Sequence, residues 1–225
     1  MTELRRVRRI WTRLAGIYDL RVRLFLRWRR PAVDALRLRP GDAVLDLACG
    51  TGLNFPYIME GIGSKGRVVG VDLTRAMLVR ARRRAARRDW RNVALLEGDA
   101  ARLPLADGSS DAVICSYAMA IIPDYRLAVA EAVRVLKPGG RLVLLEGKRG
   151  SSLWARAVTP LVSLAGRFGA VDLDRRAWEE LPGLLQDVSR TDYAGGIVYI
   201  AVGTKAAGSG GPAPNLASTK GGVAP

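Results

Sequence analysis

Two glycines and two aspartates could together build a binding site for a nucleoside. The apolar run that contains Asp46 ends in Gly50 and Gly52, and a second apolar run ends further on in Asp72. The first run predicts a buried parallel strand that leads through a tight glycine turn into a helix. Glycine lets backbone N–H groups approach a ligand closely, and a carboxylate at the tip of the next strand can bind both hydroxyls of a ribose. The spacing therefore predicts a nucleoside-containing cofactor at the carboxyl ends of a parallel sheet.

The residues after Gly52 indicate which cofactor this is. A dinucleotide-binding fingerprint requires a third glycine, and Phe55 stands in its place, which disfavours a nicotinamide oxidoreductase. Segments 46–52 and 69–78 instead resemble the class I S-adenosylmethionine-dependent methyltransferases. The resemblance covers roughly residues 11–148 and resumes at 195–198. It continues through four further segments: Glu97–Ala100, Leu103–Pro104, Asp111–Val113 and Arg134–Gly140.

The resemblance implies S-adenosylmethionine as the cofactor and assigns site residues. The implied cofactor-binding residues are Asp46, Gly50, Gly52, Asp72, Leu73, Met77, Asp99, Ala100 and Ser116. Among them, Asp72 would bind the ribose, Asp99 would meet the exocyclic amine of adenine, and Asp46 would orient the glycine loop or the cofactor's ammonium group. Tyr18 and Tyr117 are the implied catalytic residues, with Tyr18 covering the sulfonium. A turn or cap role for Asp99 and a packing role for either tyrosine stay open as alternatives.

The residues around the end of the fourth expected strand disfavour nucleic acid as the acceptor. Adenine amino-methyltransferases carry an Asn/Asp-Pro-Pro-aromatic motif there, whereas residues 116–119 read Ser-Tyr-Ala-Met. Cytosine C5 enzymes need a nucleophilic thiol, but Cys115 lies inside an apolar strand without an obvious activating base. The expected acceptor is therefore a small molecule or a lipid.

Two lipid-directed branches of these enzymes are similar to the chain. Segments 70–73 and 137–142 resemble the ubiquinone/menaquinone biosynthesis C-methyltransferases, and segment 11–20 resembles the bacterial phosphatidylethanolamine N-methyltransferases. An amine needs no carbon deprotonation, so the absence of histidine slightly favours a phospholipid amine headgroup as the acceptor. The alternatives are a quinone-precursor C-methyltransferase or a natural-product N- or O-methyltransferase, for which Glu146, Asp124 or a water could serve as base. From a different class, a non-catalytic cofactor-binding protein is also consistent with these motifs.

Alternating strand and helix patterns predict an α/β, Rossmann-like class I methyltransferase fold. Its seven-stranded sheet would be mostly parallel, with an antiparallel last strand and an N-terminal helical cap. The expected strands are 43–48, 67–72, 93–97, 111–116 and 141–146, then an antiparallel pair at 184–193 and 196–203, and the expected helices include 75–88 and 125–136. The expected domains are a basic cap (1–38, helical over 4–38), a methyltransferase domain (39–205) with a helical substrate-side insertion (149–182, carrying Trp154, Phe168 and Trp178), and a disordered tail (206–225).

The formal net charge of +15 is concentrated in two segments. Residues 1–30 hold ten arginines and two acidic residues (+8), and residues 75–91 hold eight arginines and one aspartate (+7). Apolar residues at helical spacing in the first segment predict a basic amphipathic helix that caps the cofactor pocket, contacts an anionic membrane surface, or does both. The arginines of the second segment predict a solvated helix face.

Composition places further limits on the class of protein. No apolar run reaches the ~18 residues of a membrane span, and the arginine-rich start lacks the apolar stretch of a signal peptide. Cys49 and Cys115 are expected as buried thiols, which favours a cytoplasmic protein, peripheral at the membrane if the basic helix binds there. Because the chain has no histidine, no zinc site is expected.

Overall fold

The computed structural model describes residues 2–156 and 169–208 and centres on one seven-stranded sheet. The strands are β1 (Ala43–Leu47), β2 (Arg67–Asp72), β3 (Val93–Glu97), β4 (Ser110–Ser116), β5 (Leu136–Gly147), β6 (Gln186–Tyr193) and β7 (Val198–Thr204). Their order across the sheet is β3-β2-β1-β4-β5-β7-β6. Strands β1 to β5 pair in parallel, and β7 runs antiparallel to both β5 and β6. The predicted fold class and the closing antiparallel pair are confirmed.

Strand β5 begins earlier than expected. Leu136 already pairs with Ser110 on β4, and the register then shifts before Arg141 pairs with Ala112. The intervening Lys-Pro-Gly-Gly segment, in which Gly139 has φ +77°, therefore forms an irregularity inside the strand. The remaining strands begin and end within about two residues of the expected positions, which is the usual uncertainty of element ends.

Short helices cover the sheet and its carboxyl edge. The α-helices are α1 (Glu3–Leu14), α2 (Tyr18–Arg21), α3 (Arg29–Asp34), α4 (Phe55–Ile62), α5 (Arg75–Ala86) and α6 (Tyr125–Val135), and 3₁₀ helices span Arg23–Trp28, Ala177–Gly183 and Ala194–Gly196. The predicted N-terminal cap is thus helical, and it consists of four consecutive helices between Glu3 and Asp34.

The two faces of the sheet carry separate apolar cores. Successive side chains of a strand point to opposite faces, so Val44 packs with α3, α4 and α5 while Leu45 packs with α6 and the 177–183 helix. On α5, Met77, Leu78, Ala81 and Ala85 are buried, whereas most of its arginines are exposed. This arrangement confirms the predicted solvated face of the second basic segment.

The expected insertion at 149–182 is only partly described. Its described part contains a helical turn at 153–156 and the 177–183 helix, where the ring of Trp178 meets that of Tyr199 edge-on at 4.7 Å. Trp154 is 56% exposed. Phe168 and the tail from residue 209 lie outside the described residues. Within the described ranges, no helix has the length and apolar character to cross a membrane.

Candidate active site

Backbone strain marks the edge of the sheet where β1 and β4 end. Ala48 and Tyr117, directly after these two neighbouring strands, both adopt the left-handed region, with φ +52° and +57°. Residues other than glycine rarely adopt this conformation, and such strain concentrates at functional sites. Gly50 and Gly52 are left-handed as well, with φ +57° and +75°. The glycine turn and the end of β4 therefore form one strained edge.

Asp72, the last residue of β2, organises this edge. Its Oδ2 accepts a hydrogen bond from the backbone N–H of Gly50 at 2.9 Å, and its Oδ1 accepts one from that of Thr74 at 2.8 Å. Each carboxylate oxygen retains a further lone pair. Burial raises the pKa of Asp72 to about 6, although the two backbone N–H groups counteract the rise. The carboxylate is therefore held in place and can still accept two more hydrogen bonds.

A cavity opens beside Asp72, and most of the predicted site residues line it. We call it the first cavity; its predicted lining residues are Tyr18, Gly50, Asp72, Leu73, Met77, Asp99, Ala100, Ser116 and Tyr117. Leu4, Val7 and Trp11 of α1 lie over it. Two predicted residues, Asp46 and Gly52, do not line it. The structure thus brings together nine of the eleven predicted residues.

Asp99 has two roles in this geometry. It lines the first cavity, and its Oδ1 accepts a hydrogen bond from the backbone N–H of Ala101 at 3.0 Å. The backbone N–H of Arg102 also bonds to the Asp99 carbonyl at 3.0 Å. The alternative turn role is therefore present, and it leaves the other carboxylate oxygen available to a ligand.

Gly52 is required for packing rather than for an open approach to a ligand. A Cβ at this position would lie 2.5 Å from the ring of Phe55, which is fully buried. By contrast, the nearest atom to a Cβ on Gly50 would be a ring carbon of Tyr18, at 3.7 Å. Only Gly50 therefore presents its backbone to the cavity.

Asp46 belongs to a buried polar network behind the cavity wall. Arg29 donates to Asn54 Oδ1 at 2.7 Å, and Asn54 Nδ2 donates to Asp46 Oδ1 at 2.9 Å and to Ser116 Oγ at 3.2 Å. Asp46 Oδ2 is buried without a hydrogen-bond partner among the described residues. Burial raises the pKa of Asp46 to about 7. The network connects the cap, through Arg29, to the glycine turn and to the end of β4.

A second set of contacts fastens the cap to the glycine turn. Asp19 accepts hydrogen bonds from the Thr51 hydroxyl at 2.5 Å and from Arg84 at 2.6 Å. Arg84 also donates to the Thr51 carbonyl at 2.9 Å. The adjacent Tyr18 lies edge-on to Trp11, with ring centroids 5.7 Å apart. The Tyr-Asp pair of the cap thus places an aromatic ring over Gly50 while its aspartate anchors the cap.

A second cavity of about 250 Å³ adjoins the first. The two share Trp11, Tyr18, Tyr117 and Ile121, so they meet at the two tyrosines. The other residues of the second cavity are Leu14, Arg21, Val22, Phe25, Ala120, Glu146, Gly147, Gly169, Val171, Leu173 and Ile197. Most of this lining is apolar, and Glu146 is the only acidic residue in its described part. The two cavities are therefore neighbouring compartments with an aromatic wall between them.

The contacts of Tyr117 favour the packing alternative for this residue. Its hydroxyl donates to the Phe25 carbonyl at 3.2 Å, and its ring meets that of Phe25 edge-on at 5.7 Å. Burial raises the pKa of Tyr117, so its hydroxyl stays protonated at neutral pH. Tyr117 is therefore part of the wall between the cavities and holds the cap against the sheet.

Sequence reasoning missed Arg29 and Asn54. Arg29 is 3% exposed although it is one of ten arginines in the first thirty residues, and its type and spacing do not distinguish it from its exposed neighbours. Asn54 stands in a loop where many polar residues would fit. As for metals, the described residues contain no cluster of three acidic or cysteine side chains suited to an ion.

Comparison with known proteins identifies the family. Residues 2–160 match the model of the ubiE/COQ5 methyltransferase family. A demethylmenaquinone methyltransferase from Listeria monocytogenes is 30% identical over 215 residues, which cover 87% of this chain and 90% of the relative. One from Thermus thermophilus is 42% identical over 142 residues, or 61% of this chain and 64% of the relative.

Solved structures agree on the fold. A SAM-dependent methyltransferase from Thermotoga maritima aligns with a TM-score of 0.67 at 21% identity, covering 88% of this chain and 99% of that one. Geranyl diphosphate C-methyltransferase from Streptomyces coelicolor, solved with S-adenosyl-L-homocysteine, aligns with a TM-score of 0.64 at 18% identity, covering 79% and 74%. With the family match and the site geometry, these findings lead to one conclusion: the chain belongs to the ubiE/COQ5 methyltransferase family and is an S-adenosylmethionine-dependent enzyme.

Proposed function

We propose that this enzyme methylates a ring carbon of a hydroquinone-type acceptor, that is, a quinone precursor. Two relatives that support the proposal are named demethylmenaquinone methyltransferases. They favour the quinone alternative over the phospholipid amine that the absence of histidine had slightly favoured.

The observation that carries the proposal is the apolar second cavity next to the first. A planar ring can lie against its aliphatic and aromatic walls, and apolar walls exclude water from the reacting centre. A phospholipid headgroup would bring a phosphate and an ammonium into a cavity whose described lining is mostly apolar. Burying two charges is costly, whereas a neutral ring can pack against this lining without that cost.

The first cavity fits S-adenosylmethionine, which supplies an electrophilic methyl group on a sulfonium when bound. Asp72 can accept hydrogen bonds from the ribose hydroxyls with its free lone pairs, and Asp99 can accept one from an adenine amine. Asp46 supports the glycine turn through Asn54 rather than from the cavity wall. Tyr18, at the junction, offers an aromatic ring to the cationic sulfur. The enzyme then has chiefly to hold the methyl group of the cofactor in line with the reacting atom of the acceptor.

The cap also suits contact with an anionic membrane, where an apolar quinone precursor would reside. Arg5, Arg6 and Arg13 on α1 are exposed, and Ile17 and Leu20 just beyond it are 50% and 67% exposed. Basic residues beside exposed apolar side chains are typical of peripheral membrane contact. Because the inner face of α1 lines both cavities, the cap and membrane roles are compatible.

Labelled S-adenosylmethionine tests the acceptor. The enzyme is incubated with a total lipid extract and, separately, with a polar metabolite extract, both kept reduced. We expect the label in a quinone fraction, on a ring carbon located by NMR. Label in phospholipid headgroups, or only in polar metabolites, would refute the proposed acceptor. Cofactor binding without any transfer would instead favour the non-catalytic alternative.

Vesicle sedimentation at low salt tests the membrane contact. Replacing Arg5, Arg6 and Arg13 by glutamate should abolish binding to vesicles that contain phosphatidylglycerol. The matched control replaces three exposed arginines at the end of α5 and just after it, Arg82, Arg83 and Arg87, by the same residue. Equal loss in both variants would show that net charge alone drives binding, and wild-type protein that ignores the vesicles would refute the contact.

A further inference from the structure

Glu146, near the end of β5, has one carboxylate oxygen that accepts backbone hydrogen bonds and one that accepts none from the described residues. Oε1 accepts hydrogen bonds from the backbone N–H groups of Ala118 and Met119 at 2.7 and 2.8 Å. Oε2 is buried and has no hydrogen-bond partner among the described residues. The residue as a whole is only 2% exposed. An unpaired buried carboxylate oxygen costs stability, and such exceptions call for an explanation.

The position of Glu146 supplies that explanation. Among the residues that the structure describes, it is the only acidic one lining the second cavity. Asp124, the other acidic candidate for a base, is exposed and lines neither cavity. Asp46 also lies outside the lining of both cavities. Glu146 is thus the carboxylate that a molecule in the second cavity would meet.

We propose that Oε2 of Glu146 accepts the proton of the acceptor's hydroxyl group and so makes the neighbouring ring carbon nucleophilic. This role rests on the proposed hydroquinone acceptor. The O–H bond breaks, and the oxygen's electron pair moves into the ring. The ring carbon beside it forms a bond to the methyl carbon while the methyl–sulfur bond breaks, its electron pair remaining on sulfur. The methylated carbon then loses its proton to solvent, and the C–H electron pair restores the aromatic ring as the carbonyl becomes an oxyanion. The oxyanion takes back the proton from Glu146, which regenerates both the hydroxyl and the carboxylate.

The surroundings of Glu146 hold it ready for this exchange. Burial raises its pKa to about 7, although the backbone N–H groups of Met119, Ala118 and Ala120 and the charge of Arg29 counteract the rise. Near neutral pH the group can therefore both accept and release a proton.

Three other titratable groups near Glu146 do not titrate in this range. Burial raises the pKa values of Cys115, Tyr117 and Tyr199, so all three stay protonated at neutral pH. Burial also raises the pKa of Asp46 to about 7, but Asp46 lies outside the cavity lining. A pH dependence between 6 and 8 that Glu146→Gln abolishes is therefore assigned to Glu146 rather than to Asp46.

The first measurement is binding of 1-naphthol, a phenol that resembles the proposed ring, with saturating S-adenosylhomocysteine in the first cavity. A neutral naphthol donates its hydroxyl to the ionised carboxylate. Its affinity for the wild-type enzyme should therefore rise about tenfold from pH 6 to pH 8. In Glu146→Gln, the amide oxygen keeps the bonds to Ala118 and Met119, but an NH₂ group replaces Oε2, so the affinity should not change with pH.

The second measurement is methyl transfer to a short-chain 1,4-naphthohydroquinone kept reduced. Glu146→Gln should lower kcat about 10²- to 10⁴-fold, with KM raised by no more than about tenfold, the binding loss expected for naphthol. The control Asp124→Asn, which removes the exposed carboxylate, should retain wild-type kcat and the wild-type pH profile.

The outcomes separate the two proposals. Wild-type affinity for 1-naphthol that is constant between pH 6 and 8 overturns the role of Glu146, and this arm needs no variant to fold. A Gln variant with wild-type kcat overturns it as well. If naphthol binding shows the expected pH dependence but no hydroquinone is methylated, Glu146 is supported as the proton acceptor and the proposed acceptor is refuted.

Discussion

Replacing Asp72 by asparagine should weaken cofactor binding without unfolding the protein. Asp72 lines the first cavity, and its two carboxylate oxygens accept hydrogen bonds from the N–H groups of Gly50 and Thr74, at 2.9 and 2.8 Å. Asparagine has one oxygen, which can accept only one of these two hydrogen bonds, and it loses the negative charge.

The expected magnitude follows from the two ribose hydroxyls. A hydrogen bond to a charged group contributes about 1.5–3 kcal/mol, so two such bonds contribute about 3–6 kcal/mol. Asparagine keeps a neutral bond to one hydroxyl, which leaves a loss of about 3 kcal/mol. This corresponds to a Kd about 100-fold higher.

Isothermal titration with S-adenosylhomocysteine measures this loss, and Asp89→Asn is the matched control. Asp89 is exposed and does not line the first cavity. The control should bind like the wild type. Because the pKa of Asp72 is about 6 and the carboxylate is the binding form, wild-type affinity should fall about tenfold per pH unit below pH 6. Asp72→Asn with wild-type affinity would refute the assignment.

Three further changes test the architecture of the site. Gly52→Ala, which places a Cβ 2.5 Å from the Phe55 ring at φ +75°, should destabilise the fold by about 2–4 kcal/mol in chemical unfolding; a variant as stable as the wild type would contradict this packing. The pKa of Asp46 is raised to about 7, so wild-type stability falls as pH rises from about 4 to 7. Asp46→Asn should therefore gain about 2–3 kcal/mol relative to the wild type between pH 5 and pH 8, and a constant difference would argue against the raised pKa. Asp19→Asn, which weakens the bond to Arg84, should speed release of S-adenosylhomocysteine about two- to fivefold in stopped-flow fluorescence; an unchanged rate would show that the anchor does not control release.

The sheet and the first cavity could be predicted because they depend on local patterns. Apolar runs such as 43–47 and 67–72 are buried strands with their own turn signals, and Asp72 and Asp99 follow strand ends that a parallel sheet brings to one edge. Residue type and position within an element suffice for such inferences.

The polar network and the second cavity depend on the packing of distant segments. Arg29 and Asn54 are hydrogen-bonded although they are 25 positions apart in the sequence. Glu146 and residues of α1 and α2 come together at the lining of the second cavity. The helical spacing of Leu4, Val7, Trp11 and Leu14 predicted a cap. It did not show that the cap would cover two compartments, because that depends on where the insertion packs.

Helix α1 covers both cavities, and this arrangement affects the time course of turnover. Leu4, Val7 and Trp11 lie over the first cavity, and Trp11 and Leu14 over the second. Movement of this one helix would open both cavities together, and such an opening is a step separate from the chemistry. Where that opening is the slower step, the first turnover outpaces those that follow. Rapid mixing then yields a pre-steady-state burst whose amplitude counts the active sites.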